Sequence, residues 1–484
     1  MPADRRRIER AFDRAREELE VRTEFPPEAL AEAERAARER DPSAAPGYAD
    51  LTGVPFVTID PPGSRDLDQA LHLERAGEGL RLRYAIANVG FWVDRGGAVE
   101  REAWRRGVTF YAPDRRVPLY PPVLGEEAAS LLPDGVRPAV VFTIRTDARA
   151  EPVEVRVERA RVLSRAQLTY ADAQAHAEGE GGGSRGEPWS ESLLLLREFG
   201  ERRREREAER GGTSLPIVAQ HVQQDAATRL GYALEYEVPR PSERWNEQVS
   251  LLTGHVAARR MLEARTGILR VMPPAEPEEV QRFHVAARAL GFDWPKEATY
   301  AEFMRSLDVG RPHVAALVWQ ARRLNRGADY LAFDGELPDA PEHAALAMPY
   351  AHVTAPLRRL CDRYALDLLA GLEAGRRPGP AEVAALRKLP PVMDGAQARA
   401  GRLERRAVDI AEAWTLRGCE GRTYPAVVLG FRGAAVEVQV EEPPVRALAA
   451  REGGEPRLEP GEHVTVRLAE ADVEDGEVRF QVPA

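Results

Sequence analysis

The stretch Phe56-Val57-Thr58-Ile59-Asp60-Pro61-Pro62-Gly63-Ser64-Arg65-Asp66-Leu67-Asp68-Gln69-Ala70-Leu71 decides how the rest of the chain is read. Its apolar start, 54–59, has the length and β-branched content of a short buried strand. Asp60 ends that run, and Pro61-Pro62-Gly63-Ser64 must turn the backbone away. Asp66 and Asp68 fall in the turn, before apolar residues resume at Leu71. Three carboxylates at one strand exit cannot all stay ionised without a counter-charge. A hard divalent cation supplies it, and Mg2+ or Mn2+ takes oxygen ligands. Such a set suits metal-dependent phosphodiester hydrolysis. Aspartates after strands also serve as N-caps and Asx-turns, so the stretch alone leaves both readings open. An EF-hand is disfavoured, because no Gly stands at the required place and no calcium loop follows.

Composition narrows the field. At 484 residues there is room for three domains, taking roughly one per 150 residues. A hydrophobic content of 43% with 30% charged residues suits a globular protein with a sizeable core. No apolar run reaches the roughly 20 residues of a membrane span. No charged-apolar-small leader opens the chain either, so the expected compartment is the cytoplasm, with no membrane partner. The only cysteines, Cys361 and Cys419, lie far apart, which excludes a disulfide framework and a thiolate metal site. A net charge of −10 argues against a positive coat but allows a basic channel inside an acidic shell. Lys occurs only at 296 and 388; the other cations are Arg, the better bidentate phosphate ligand.

Along the chain, 4–21 and 27–40 read as two charged helices broken at Phe25-Pro26-Pro27. Ile8, Phe12 and Leu19 give the first a narrow apolar stripe, expected to dock on the main body. A helix-turn-helix module is the alternative. From 54 to 163 strands dominate: Leu80, Leu82, Tyr84 and Ile86 alternate with Arg81, Arg83 and Ala85, as Val153, Val155 and Val157 do with charged residues. Within this region 97–106 looks helical and 111–124 is Pro-rich and irregular. A flexible loop is expected at 179–188, and a solvated mixed-charge helix at 198–210. Helices then dominate, at 243–265, 276–290, 311–326, 356–372 and 397–416, with Pro356 in the first turn of its helix. The tail has four strand-like runs, 426–429, 434–440, 463–469 and 477–482, and suggests a small OB-type barrel for single-stranded nucleic acid. The expectation is an α+β chain: a helical domain over 1–50, a mixed domain over 51–418, β-rich first and helical second, and a barrel over 419–484.

Four separated stretches together resemble the ribonuclease II (RNB) family of 3′-to-5′ exoribonucleases. They are the acidic stretch 58–71; Gly107-Val108-Thr109-Phe110-Tyr111 with Val117-Pro118-Leu119-Tyr120-Pro121 and Ser130-Leu131-Leu132-Pro133; Tyr350-Ala351-His352-Val353-Thr354-Ala355-Pro356-Leu357-Arg358-Arg359-Leu360-Cys361-Asp362; and Arg402-Leu403-Glu404-Arg405. The resemblance covers roughly 54–418 and implies a mixed RNB-type catalytic domain. It implies Mg2+, with Mn2+ as the alternative, held by Asp60, Asp66, Asp68 and Gln69, with Asp66, Asp68 and Arg358 catalytic. Arg358 would bind the scissile phosphate with help from Arg359. Tyr111 would stack on the 3′-terminal base and Glu404 would touch the terminal nucleotide. The implied substrate is single-stranded RNA, degraded to 5′-nucleoside monophosphates.

The sequence also departs from the family pattern. Gln69 replaces the usual fourth Asp and brings no charge, and Ala355 replaces a Ser before the Pro. The stretch Arg265-Thr266-Gly267-Ile268-Leu269 lacks the aromatic that often sandwiches the base, leaving Ile268 or Leu269 for apolar contact. The residues ahead of the acidic stretch read as helical, where the family often carries two cold-shock barrels. A more open entrance and tolerance of RNA with a 3′ overhang would follow. Gln69 and Ala355 motivate a second hypothesis, an RNA-binding protein that keeps the scaffold without turnover.

Overall fold

Alternation at period two along the first third of the chain ends in one seven-stranded sheet. The structure, a computed structural model, describes residues 2–180, 186–213, 219–224, 232–237, 239–295, 297–308, 314–321, 324, 327–440, 442–451 and 458–483. Strands β1 (Ala49–Asp50), β2 (Phe56–Asp60), β3 (Gln69–Ala76), β4 (Gly79–Ala87), β5 (Arg137–Thr146), β6 (Pro152–Val162) and β7 (Ser164–Thr169) lie in the order β1-β6-β5-β4-β3-β2-β7. β3 to β6 form an antiparallel meander, while β2 pairs in parallel with β7 and β1 with β6. Leu80, Leu82, Tyr84 and Ile86 of β4 are all buried, and Arg81 and Arg83 both donate to Glu74 of β3. β2 and β3 share only the Val57–Leu71 pair, so residues 61–68 leave the sheet between them.

Two helices, α1 (Pro2–Glu18) and α2 (Pro27–Glu39), precede the sheet. The stripe on α1 docks as its spacing predicts: Ile8 and Phe12 are buried in the same core as the sheet. Helix α3 (Ala98–Arg106) lies between β4 and β5; α4 (Tyr170–Ala177) and α5 (Ser190–Glu209) follow β7. The second half adds the hairpin β8 (Ala219–Gln224) with β9 (Tyr232–Glu237), then α6 (Pro241–Ala264). β10 (Thr266–Val271) pairs with β11 (Asp329–Asp334) across α7 (Pro277–Ala289), α8 (Tyr300–Arg305) and α9 (Val314–Ala321). Short β12 (Glu342–His343) and β13 (Met348–Pro349) lead to α10 (Leu360–Glu373) and α11 (Pro380–Leu416). The chain closes as a five-stranded barrel of β14 (Thr423–Arg432), β15 (Ala435–Val440), β16 (Arg446–Arg451), β17 (His463–Asp472) and β18 (Glu477–Val482). Val428, Val436, Val438, Val466, Leu468 and Phe480 are buried in it.

Several elements differ from the sequence expectation. α5 is no solvated face: Arg203 and Glu207 are buried, Arg203 donating to the Ala150 carbonyl and Glu207 accepting from Gln248. α10 begins at Leu360, not at Pro356, and α11 runs unbroken through Pro390-Pro391. Interior prolines cost a helix about 3 kcal/mol or more; burial of Leu386, Leu389, Met393 and Ala396 on that helix offsets this. The barrel's third strand, β16, was not expected, because Arg446-Ala447-Leu448-Ala449-Ala450-Arg451 has helix-forming residues. Its pairing with β15 and β18 decides the matter. Residues 181–185 of the expected loop and both ends of the expected 311–326 helix lie outside the described residues.

Candidate active site

The acidic loop is carried by Leu67. Its side chain is fully buried, its N–H donates to Ser130 Oγ (2.9 Å) and its carbonyl accepts from Leu131 N–H (3.0 Å). Ser130 Oγ donates in turn to the Arg65 carbonyl, and the Asp68 carbonyl accepts from Ala87 N–H (2.9 Å). The Ser-Leu-Leu-Pro stretch is thus the clamp that fixes Asp66 and Asp68.

Asp68 is 3% exposed. Its Oδ1 accepts from Leu357 N–H at 2.7 Å and its Oδ2 lies 3.5 Å from Arg358 Nε. Burial pushes its carboxyl up to about 8, against the pull of Arg358 and of the Leu357 N–H. Asp60, at the end of β2, is pushed up to about 7, again by burial first, with Arg358 opposing and Asp66 adding to the rise. Asp60 Oδ2 is buried with no hydrogen-bond partner among the described residues. Two desolvated carboxylates therefore share one guanidinium, and that guanidinium is half-exposed. A set of oxygen donors short of positive charge fits a divalent cation, whose binding displaces the protons such a site retains.

The other expected ligands are placed differently. Asp66 makes an ion pair with Arg116, which also reaches Glu126 at 2.9 Å. The Gln69 side-chain NH2 donates to the Thr354 carbonyl, so its amide oxygen is the atom left for a cation. Asp60, Asp66 and Asp68 do not all bring ligand atoms within 4.8 Å of one another; among the described residues, that holds for His352, Cys361 and Asp362. Asp362 is already committed there, to Arg359 and to Ala355 N–H.

Arg358 lies in the turn before α10, so the expected position inside the first helical turn is corrected. The helix start is displaced because Asp362, in the first turn, reaches back to Ala355 N–H (2.8 Å) and takes a two-nitrogen fork from Arg359 (3.0 and 2.8 Å). Asp362 is thus paired with Arg359, which leaves Arg358 to face Asp68. Residues 358–360 are further stitched to the Gly-Val-Thr-Phe-Tyr stretch: Thr109 N–H donates to the Arg358 carbonyl (3.0 Å) and Leu360 N–H to the Gly107 carbonyl (2.9 Å). Gly107 ends α3 at φ +74°, and a Cβ there would stand 2.5 Å from Ala396 Cβ of α11.

This stitching sets Tyr111 beside Arg358. Its ring is 48% exposed and lies within electrostatic reach of Arg358, Asp66 and Asp68. The loop after it is held by α1, where buried Arg16 forks onto Asp114 (2.8 and 2.7 Å) and Asp13 receives Arg115 at 2.6 Å. Arg16 and Arg116 were not singled out from the sequence, and Ser130 and Leu357, though inside the quoted stretches, had no role there; each is a partner distant in sequence from the group it fixes. Glu404 is exposed on α11. Ile268 and Leu269 are buried in β10, so neither offers a surface to a base.

The class this defines is an α+β domain with a partly buried acidic loop at a sheet exit, followed by a small closed barrel. The chain belongs to the RNB family: the RNB domain matches residues 48–373, and the RNase II-type exonuclease C-terminal S1 domain matches 422–482. It is 28% identical over 330 residues to the exosome complex exonuclease RRP44 of Homo sapiens, covering 66% of this chain and 34% of that protein. It is 28% identical over 374 residues to ribonuclease R of Escherichia coli, covering 74% of this chain and 44% of that one. The chain therefore spans less than half the length of either relative. Mycoplasma genitalium RNase R, solved in complex with ribose-methylated single-stranded RNA, has the same fold, with a TM-score of 0.86 at 18% identity over 98% of this chain and 77% of that one.

Proposed function

We propose that the chain is a divalent-metal-dependent 3′-to-5′ exoribonuclease that releases 5′-nucleoside monophosphates from single-stranded RNA, including strands that overhang a duplex. The observation that carries this reading is the pair of buried carboxylates, Asp60 and Asp68, sharing the half-exposed Arg358 next to exposed Tyr111. Membership of the RNB family, and relatives named as ribonucleases, support the same chemistry.

Asp60 and Asp68, with Asp66 and the Gln69 amide oxygen completing the set, would hold Mg2+ or Mn2+. Such an ion supplies Lewis acidity at the phosphate and lowers the pKa of water. The chain's own residues do the rest. Leu357 N–H fixes the Asp68 carboxylate, so that its free oxygen faces Arg358 rather than rotating. Arg358 is free on its exposed side to take a phosphate oxygen and to stabilise charge developing in the transition state. Arg359, forked onto Asp362, holds the backbone that presents Arg358. Tyr111 offers its exposed face to the 3′-terminal base, a stack worth about 1–3 kcal/mol.

The test is incubation of 5′-labelled oligo-A with Mg2+ or Mn2+, beside a DNA control. Stepwise shortening of RNA alone is expected. Intact oligomer under both metals would instead favour a binding protein without turnover. Duplexes with graded 3′ overhangs check the finer point: cleavage should continue close to the duplex, and a stop many nucleotides short of it would reject overhang tolerance.

A further inference from the structure

Phe110 and Tyr111 are neighbours on one extended segment, so their side chains face opposite ways. Tyr111 is exposed beside the carboxylates, whereas Phe110 is buried and helps line a separate cavity of about 600 Å3. Four arginines from three places surround that cavity: Arg22 after α1, Arg105 and Arg106 at the end of α3, and Arg399 on α11. Among the described residues, Glu20 is the one acidic side chain on its wall.

The positive charge there is only partly spent. Arg106 is satisfied, donating to Glu102 (3.0 Å), to the Pro118 carbonyl (3.1 Å) and to the Glu24 carbonyl (2.7 Å), with its guanidinium 3.7 Å from the centre of the Phe25 ring. Arg105 keeps one long contact to Glu102, at 3.4 Å, and stays half-exposed. Arg399 stands 6.0 Å from the centre of the Phe110 ring, and its buried Nε has no hydrogen-bond partner among the described residues. Arg22 is exposed and close enough to Arg106 to repel it. Four guanidiniums set against Glu102 and Glu20 leave positive charge over, which favours an anion, and phosphate fits their fork geometry. The volume is that of a small-molecule site.

We infer that this cavity is a nucleotide-phosphate site, placed behind Tyr111 and formed jointly by the N-terminal helical hairpin, α3 and α11. Its choice of ligand rests on the RNA-degrading reading, because RNA and its mononucleotide products are the phosphates present there. The phosphate comes either from the RNA backbone or from a released nucleoside 5′-monophosphate.

Binding of AMP, inorganic phosphate and 5′-labelled oligo-A to the full chain is measured in EDTA, which separates binding from turnover. Arg22→Gln and Arg399→Gln are expected to weaken the ligand bound there by tenfold or more, and Arg399→Lys by less. Loss of AMP and phosphate binding identifies the free nucleotide as occupant; loss of oligo-A affinity alone identifies the RNA backbone. Arg22→Gln removes an exposed side chain, so its result stands even if Arg399→Gln melts early. Wild-type affinity of both Gln variants for all three ligands would overturn the assignment. Wild-type protein that binds AMP but leaves oligo-A intact would reject the exonuclease reading and keep the cavity's assignment.

Discussion

Two buried clusters of charge meet around residues 354–363, and they are balanced differently. In one, Asp362 is fully buried but takes two guanidinium nitrogens from Arg359 and the Ala355 N–H. In the other, Asp60 and Asp68 share the Arg358 guanidinium, Asp60 leaves an oxygen without a partner among the described residues, and both hold their protons to near neutral pH. The first cluster is complete as it stands and fixes a backbone turn. The second is short of positive charge, which is what the proposed cation and phosphate site requires. Burial alone does not separate structural from functional charge here; the balance of partners does.

The largest expected effect is on turnover. Asp68→Asn should lower it by about 10²–10⁴-fold, with RNA affinity close to wild type and no loss of melting temperature without metal. Retained turnover would remove Asp68 from the site and erase the contrast. On the balanced side, Asp362→Ala strands Arg359 in the interior and should cost about 3–5 kcal/mol in urea unfolding. A cost below about 1 kcal/mol, the range of an exposed pair, would mean the fork is not what holds the turn.

A smaller effect belongs to the exposed edge between the clusters. Tyr111→Ala should lose about 1–3 kcal/mol of RNA affinity, read by titration in EDTA, while Tyr111→Trp recovers it. Equal loss in both would assign the hydroxyl, not the ring, to binding.

The pH dependence is subtler. The unfolded carboxyls titrate near about 3.9, whereas Asp60 and Asp68 hold protons up to about 7 and 8 in the folded chain. Between those limits the folded state binds more protons, so the pair's contribution to metal-free stability is full below about pH 4 and is lost as pH rises toward 8. The metal-free melting temperature should drop from pH 5 to pH 8 by more in the wild type than in Asp60→Asn/Asp68→Asn. An equal drop would place the titration elsewhere.

The acidic cluster was legible because its three aspartates lie within nine residues of one strand exit, and the order of stretches around it pointed to the family. Long-range partners were not. Nothing near Asp66 announces that Arg116 from the Pro-rich loop will neutralise it, and nothing near Asp68 announces the Leu357 N–H. Local rules also misplaced element ends where tertiary contacts dominate. Pro356 reads as a helix start, yet Asp362 and the Gly107 carbonyl delay the helix until Leu360. The last long helix is expected from 397, yet α11 begins at Pro380 and continues through Pro390-Pro391. β16 has helix-forming residues and becomes a strand only because closing the barrel needs one there.

The central claim is that Asp60 and Asp68 form an unfinished cation site. Calorimetric titration of the chain with Mn2+ at pH 6 and pH 8 tests it most directly. The account predicts saturable binding that tightens with pH, releases protons into the buffer, and is lost in Asp60→Asn and in Asp68→Asn. Binding of the same strength in either variant, or none in the wild type at pH 8, would contradict it.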